Sequence, residues 1–336
     1  MVVVNLFGLK QTNGMYFYAL DYINEIKGVE KILVNRVFFS KLKEIDRRNF
    51  KCCSFLGFLF ELMICIWNRK FIYTPTSHPL PFYSKQLVVV HDIYPFKHGK
   101  LSKIKKILFN ISAFTSRCNI GYINKSEVLP YLVNNKFLIG KLFFLPNLMP
   151  NIDSFNFVPK VKNRNEFVIG VIGSDSYKKN YHLLCEKISE SNFYGKIKIV
   201  IYGHDNNYTD SIISKYKNIQ IKVMKSDYYC LSKFFSSIDV VVSIAEGEGF
   251  GRPLASAVAL GLKTYVINNK INSEFFSDVY IFDTVEDMIL CIQNDIDIDI
   301  DSDHIVTPLV KRDEFIQLNL DKFKVATLAL NRWIGF

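Results

Sequence analysis

The sequence has little of what staples a small secreted domain. Seven cysteines are scattered through 336 residues, with no CxxC pair and no His/Cys group at zinc spacing. That pattern excludes a disulfide framework and a zinc module, and it sets a reducing cytoplasm as the expectation. The opening MVVVNLFGLKQ has no basic segment ahead of its short apolar run, so it does not read as a secretory signal. The longest apolar stretch, Cys52 to Trp67, is 16 residues long and contains Glu61, short of the roughly 20 residues that span a bilayer. Two readings stay open for it. One is a buried helix of an α/β domain; the other is an interfacial helix, flanked by Arg47, Arg48 and Lys51 on one side and Arg69 and Lys70 on the other.

Several chemistries lack their residues. There is no Ser-His-Asp or Cys-His set, no carboxylate pair that can be placed for glycoside hydrolysis, and no DxD-like motif after a strand to hold Mg²⁺. The acidic alternation NDIDIDIDSDH (Asn294 to His304) reads as an exposed loop or edge strand. Without zinc-finger, RNP or GxxG signatures, no nucleic-acid partner is expected. No internal repeat is present. No metal and no cofactor are expected.

What is present suffices for two cores. Hydrophobic residues make up 49%, aromatic residues 15% and charged residues 22%, and the length exceeds that of one typical domain. The net charge of +10 is uneven: residues 1–150 hold 21 Lys and Arg against 8 Asp and Glu, and the remainder 21 against 24. A basic first half suits an anionic partner, either acidic lipid or a phosphorylated substrate. Lys97, Lys100, Lys103, Lys105 and Lys106 lie in one stretch, as a surface patch would.

Apolar β-branched runs alternate with helical patterns in both halves, the signature of parallel βαβ units. Strands are expected near Val2–Phe7, Lys31–Val37, Phe71–Thr74, Leu87–His91, Asn119–Asn124 and Phe143–Pro146. The second set falls near Phe167–Gly173, Lys196–Tyr202, Ile219–Val223, Val240–Ile244, Lys263–Ile267 and Val279–Phe282. Between them, the Pro- and Asn-rich Pro146 to Glu166 reads as a linker, giving domains 1–150 and 151–317. Two such domains place their strand C-termini, and hence their ligands, at a central cleft.

The stretch AEGEGFGRPLASAVALG, Ala245 to Gly261, follows the fourth strand of the second set. Its glycines let backbone N–H groups approach a ligand closely, Pro253 suits a first helical turn and Gly261 suits a C-cap. A helix N-terminus there favours an anionic ligand.

Read letter by letter, E-G-F-G-x-P from Glu248 to Pro253 resembles the nucleotide-sugar site of retaining GT-B glycosyltransferases, group 1 or family 4. Other pieces follow in order. GLKQTNGMYFYALDYI, with Gly14 opening a helix, looks like the N-terminal glycine loop; LVVVHDIYPF looks like the strand and His-Asp turn of the first domain. VIGSDSYKKNYHLL resembles the phosphate-binding strand, loop and helix start. The resemblance implies an α/β GT-B fold, two Rossmann-like doubly wound domains facing a central cleft, with a C-terminal helix at 318–336 crossing back to the first domain.

It further implies a retaining hexosyltransferase with a nucleotide-sugar donor. Glu248 would accept hydrogen bonds from the donor sugar, with Glu246 as a flank; Gly249, Phe250 and Gly251 would hold that sugar by loop amides. Gly173, Lys178 and Lys179 would meet the diphosphate, Gly14 would complete the donor set, and His91 would face the reacting sugar. Two positions depart from the family. Ser174 stands at the usual Arg, and Ser256 at the second Glu, which takes the ribose hydroxyls. A serine there is least costly for a donor without a 2′-hydroxyl, a dTDP-deoxysugar such as dTDP-rhamnose. Asn124 stands where an acceptor-side Ser is usual. The expected acceptor is a lipid-linked oligosaccharide for O-antigen, lipopolysaccharide or capsule, bound by the basic first domain on an anionic membrane surface. The protein would be cytoplasmic and peripheral on the inner face. Two alternatives stay open: a catalytically silent GT-B partner subunit and a sugar-nucleotide epimerase of GT-B fold.

Overall fold

In a computed structural model, residues 1–10, 14–42, 49–149, 157–158, 166–174, 177–191, 197–226, 231–246, 249–276, 279–298 and 309–336 are described. The chain divides into two compact units, Met1–Leu148 with Asn319–Phe336, and Met149–Leu318.

The first unit runs β1 (Val2–Asn5), α1 (Gly14–Glu25), β2 (Val29–Asn35), α2 (Arg36–Phe39), β3 (Phe50–Cys53), α3 (Phe55–Trp67), β4 (Phe71–Thr74), β5 (Gln86–Val90), α4 (Tyr94–Lys97), α5 (Ser102–Ser116), β6 (Asn119–Tyr122), α6 (Val128–Val133) and β7 (Leu142–Phe144). The second runs β8 (Phe167–Ile172), α7 (Tyr181–Glu190), β9 (Ile197–Gly203), α8 (Asn207–Lys215), β10 (Gln220–Lys225), α9 (Leu231–Phe235), β11 (Val240–Ser243), α10 (Arg252–Ala259), β12 (Thr264–Ile267), α11 (Lys270–Phe275), β13 (Tyr280–Phe282) and α12 (Val285–Ile298). A last helix, α13 (Leu309–Ile334), enters the first unit from Asn319 on.

Both sheets are parallel. Their orders are β3-β2-β1-β4-β5-β6-β7 and β10-β9-β8-β11-β12-β13. Each reverses direction beside its first strand, the doubly wound arrangement that the alternating runs predict. The central strands are buried on both faces, as VVVN at β1 and QLVVV at β5 illustrate, because helices cover parallel sheets on both sides.

Three expectations need correction. β2 stops at Asn35, whose side chain accepts from the Phe38 N–H and so starts α2 where strand was expected. β3 was not expected at all, since FKCC is too short to show a period. Cys52 to Trp67 is therefore a strand end followed by a helix, and that helix is neither buried nor turned as a soluble helix is. α3 buries Phe58, Glu61, Leu62 and Cys65, half-buries Ile64 and leaves its other large apolar residues exposed.

The C-terminal segment is held to the first unit by specific contacts. Asn331 Oδ1 accepts from the Lys27 N–H at 3.0 Å and its Nδ2 donates to the Glu25 carbonyl at 3.0 Å. Phe323 packs on Tyr22, and Trp333 on Phe71 and Phe143.

Candidate active site

In the second unit the sheet reverses between β8 and β11, so the loops leaving these two strands are neighbours at its carboxyl edge. Ligands of such sheets bind there. The loops are bonded to each other. The Glu246 N–H donates to the Lys178 carbonyl at 2.8 Å. Asn180 Nδ2 donates to the Ile244 carbonyl at 3.4 Å and to Glu246 Oε1 at 3.2 Å. Asn180 does this from the left-handed region, φ 55°, a conformation asparagine tolerates better than most residues. Glu246, expected to be a mere flank, is thus part of the clasp. Sequence reasoning missed Asn180, and the Asn just before the α7 pattern was the signal available.

Within this clasp, Lys179, Ala245, Phe250, Gly251, Leu254 and Asn272 line one pocket. Phe250 is buried, its ring edge-on to Phe275 at 4.9 Å and stacked on Phe276 at 6.1 Å, so the loop is anchored by its aromatic side chain while its backbone borders the pocket. Gly251, at φ 69°, is the N-cap of α10, and Asn180 is the N-cap of α7; neither N-cap residue bonds its helix through its own side chain. The two helix N-termini therefore point to the same edge of the sheet, with the first N–H of α7, that of Tyr181, donating to Tyr208 Oη at 2.8 Å. That arrangement adds partial positive charge to the lysines. Burial first, and Lys215 second, push His182 of α7 below the usual histidine range, so near neutral pH it adds little to this charge.

The two departures from the family are both turned inward. Ser174 is buried; its Oγ donates to the His204 carbonyl at 2.8 Å and accepts from the His204 N–H at 2.6 Å, while Asn206 Nδ2 donates to the Ser174 carbonyl at 2.6 Å. It ties the loop after β8 to the loop after β9. Ser256 is buried too, and its Oγ donates to the Arg252 carbonyl one turn back at 3.2 Å, a bond that satisfies the hydroxyl within its own helix. Ser256 does not line the pocket. Gly173, at φ 90°, donates its N–H to Tyr202 and accepts from Tyr181 Oη at 2.5 Å. Gly249 lies on the same loop as Phe250, half-buried. Glu248 lies outside the described residues.

Gly14 and His91 belong to the first unit. Gly14 opens α1, with open space where a Cβ would sit. His91, just after β5, has Nε2 2.9 Å from the Pro75 carbonyl, which requires the proton on Nε2, and its ring meets Tyr18 edge-on at 4.5 Å. Asp92 Oδ1 accepts from the Tyr94 N–H. Asn124 is buried, capping the start of α6 by accepting from the Glu127 and Val128 N–H groups. Among the described residues no three or more His, Cys, Asp or Glu gather as metal ligands would.

Residues 153–288 match the family model described as glycosyl transferases group 1. No curated protein matches the chain in sequence. Among solved structures, sucrose-phosphate synthase from Thermosynechococcus elongatus superposes with a TM-score of 0.70 at 10% identity, over 99% of this chain and 97% of that one. HepE from Anabaena in complex with UDP gives 0.67 at 13%, over 99% and 98%. WaaG, a glycosyltransferase involved in lipopolysaccharide biosynthesis, gives 0.63 at 10%, over the whole of both chains. The fold is that of the GT-B glycosyltransferases. Within the second unit, residues 153–288 are similar to the group 1 glycosyl transferases.

Proposed function

We propose that this enzyme transfers a sugar, with retention, from a nucleotide-sugar donor to a lipid-linked glycan of a bacterial surface polysaccharide. The observation that carries the donor half is the clasp, which sets Lys179 in one pocket with Phe250 and Gly251. Lys178 and Lys179, with the N-termini of α7 and α10, offset the charge of the leaving diphosphate without a metal. Glu248, just ahead of Gly249, accepts hydrogen bonds from the donor sugar and favours positive charge at its anomeric carbon. The leaving phosphate oxygen then takes the proton of the acceptor hydroxyl. HepE and WaaG, whose structures are described with UDP and with lipopolysaccharide biosynthesis respectively, support the donor class and the polysaccharide setting.

Ser256 supports a donor lacking the 2′-hydroxyl, a dTDP-deoxysugar such as dTDP-rhamnose, because its hydroxyl is spent on Arg252 and no carboxylate stands there for a ribose. The test is transfer from dTDP-, UDP- and GDP-sugars in parallel to a membrane lipid extract, read by mass spectrometry with and without EDTA. Glu248→Gln should lower the rate by about 10²–10³-fold, the usual loss of a transition-state contact, and Lys179→Ala should weaken nucleoside-diphosphate binding. Equal or better use of a ribonucleotide donor refutes the dTDP assignment. The inward turn of Ser174 and Ser256 also favours a second reading, a silent GT-B partner subunit; turnover by the purified chain alone refutes it.

A further inference from the structure

In the first unit α3 is turned inside out. Its only charged residue, Glu61, is buried and binds Lys31 Nζ of β2 and Lys51 Nζ of β3, each at 2.5 Å. Its outward residues are apolar: Phe55, Leu56, Leu59, Phe60, Met63 and Trp67, with Leu56 75% and Trp67 88% exposed. A surface helix of a soluble protein has the opposite polarity.

A second helix shares this face. Ile72 of β4 packs with Phe58, Leu62 and Cys65 of α3, and Val88 and Val90 of β5 with Phe109 and Ala113 of α5. Ile72 is aligned with Gln86, so Val88 and Val90 project from the same side of the sheet as Ile72. α5 also exposes Ile104, Ile107, Leu108 and Ile111, interleaved with exposed Lys103, Lys105 and Lys106. Between β4 and β5 the chain lies against α3 through Leu80 and Tyr83, and it presents Phe82, 82% exposed, at φ 60°.

We infer that this face, formed by α3, Phe82 and α5, docks on an anionic bilayer, with α3 lying in the acyl boundary and the α5 lysines meeting lipid phosphates. This deepens the lipid-linked acceptor reading, since it locates the surface that would bring the enzyme to such an acceptor. Charge decides between a bilayer and a second copy of the chain. Lysine is depleted at the centre of protein interfaces, whereas lysines interleaved with aliphatic residues, and a tryptophan at a helix end beside Arg69, suit the headgroup layer. No described helix is long and apolar enough to cross a membrane, so this contact is peripheral.

The experiment is flotation of the full chain with phosphatidylcholine vesicles, with and without phosphatidylglycerol, alongside the fluorescence of Trp67 in a Trp333→Phe background. The expected results are binding that requires phosphatidylglycerol, a blue shift of Trp67, and at least tenfold weaker binding in Phe60→Glu/Met63→Glu. Each of Lys103, Lys105 and Lys106 changed to Gln should cost about fivefold at low salt, from about 1 kcal/mol per lysine near an anionic surface. Nucleoside-diphosphate binding by the second unit and the far-ultraviolet circular dichroism and thermal unfolding of the whole chain should be unchanged in all these variants, which shows that both units fold. The inference is overturned if the wild-type chain does not float, or if the double variant floats as well as wild type. It is also overturned if sedimentation shows a dimer that the double variant converts to monomer with no vesicle binding by either. Transfer to lipid extract in detergent tests the acceptor reading separately, because detergent removes the bilayer but not the acceptor.

Discussion

Gly203→Ala should disturb the proposed donor site through Ser174, which shares the loop after β8 with Lys178 and Lys179. A Cβ built at Gly203 lies 2.3 Å from Ser174 Oγ, 2.5 Å from its Cβ and 3.0 Å from its backbone nitrogen. Carbon contacts are comfortable at about 3.5–4.0 Å, so the methyl group needs more than an ångström of yield. Ser174 cannot give it cheaply, being bonded through Oγ to both backbone groups of His204 and through its carbonyl to Asn206. Overpacking costs about 1–3 kcal/mol, and losing the two Oγ bonds adds about 1–2 kcal/mol, so a destabilisation of about 2–5 kcal/mol is expected in urea unfolding of the second unit. The loop that moves carries Lys178 and Lys179. Nucleoside-diphosphate affinity should therefore fall about tenfold, the equivalent of one charged hydrogen bond. Ser174→Gly alone loses the clip but makes room, so the double variant should cost less than the sum of the two single changes by about 1–3 kcal/mol. A Gly203→Ala protein within about 0.5 kcal/mol of wild type, the range of neutral surface changes, or strict additivity in the cycle, refutes the reasoning.

Two further outcomes test other parts of the structure. Burial raises the Glu61 pKa, but hydrogen bonds and charge from Lys31 and Lys51 outweigh it and hold the carboxyl below its usual 4.5. A depressed carboxylate stabilises the fold above its unfolded pKa and loses that contribution as pH falls from about 4.5 through the lower folded value. Wild-type stability should thus drop over that acid range. Glu61→Gln should flatten the drop and cost about 1–3 kcal/mol at pH 7 by removing the carboxylate that Lys31 and Lys51 share. Gly251→Ala meets no atom closer than Leu254 Cβ at 3.5 Å, so its cost should be only that of a left-handed alanine, about 1–2 kcal/mol, read as a lower Tm with transfer activity retained; a loss above about 4 kcal/mol would mean a clash this structure does not contain.

The strand runs VVVN, QLVVV, FVIGVI and VVVS are β-branched, apolar and punctuated by Gly, Pro or Asn, so both doubly wound sheets and the loop bearing Phe250 and Gly251 were legible in the sequence alone. β3 was not, because four residues with two exposed do not establish a period. The roles of Ser174 and Ser256 were also hidden, since a hydroxyl can face a ligand or its own backbone, and only the positions of the His204 and Arg252 backbone groups decide which. α3 shows the division most sharply. FLGFLFELMICIW is apolar all round apart from Glu61, so no periodicity tells which side is inward. Its composition did determine that it forms a helix too short to span a membrane. Its facing was decided by tertiary structure, where Lys31 and Lys51, brought to one face of the sheet by the β2–β3 pairing that aligns Leu33 with Lys51, draw the one carboxylate inward and leave the aromatic side out.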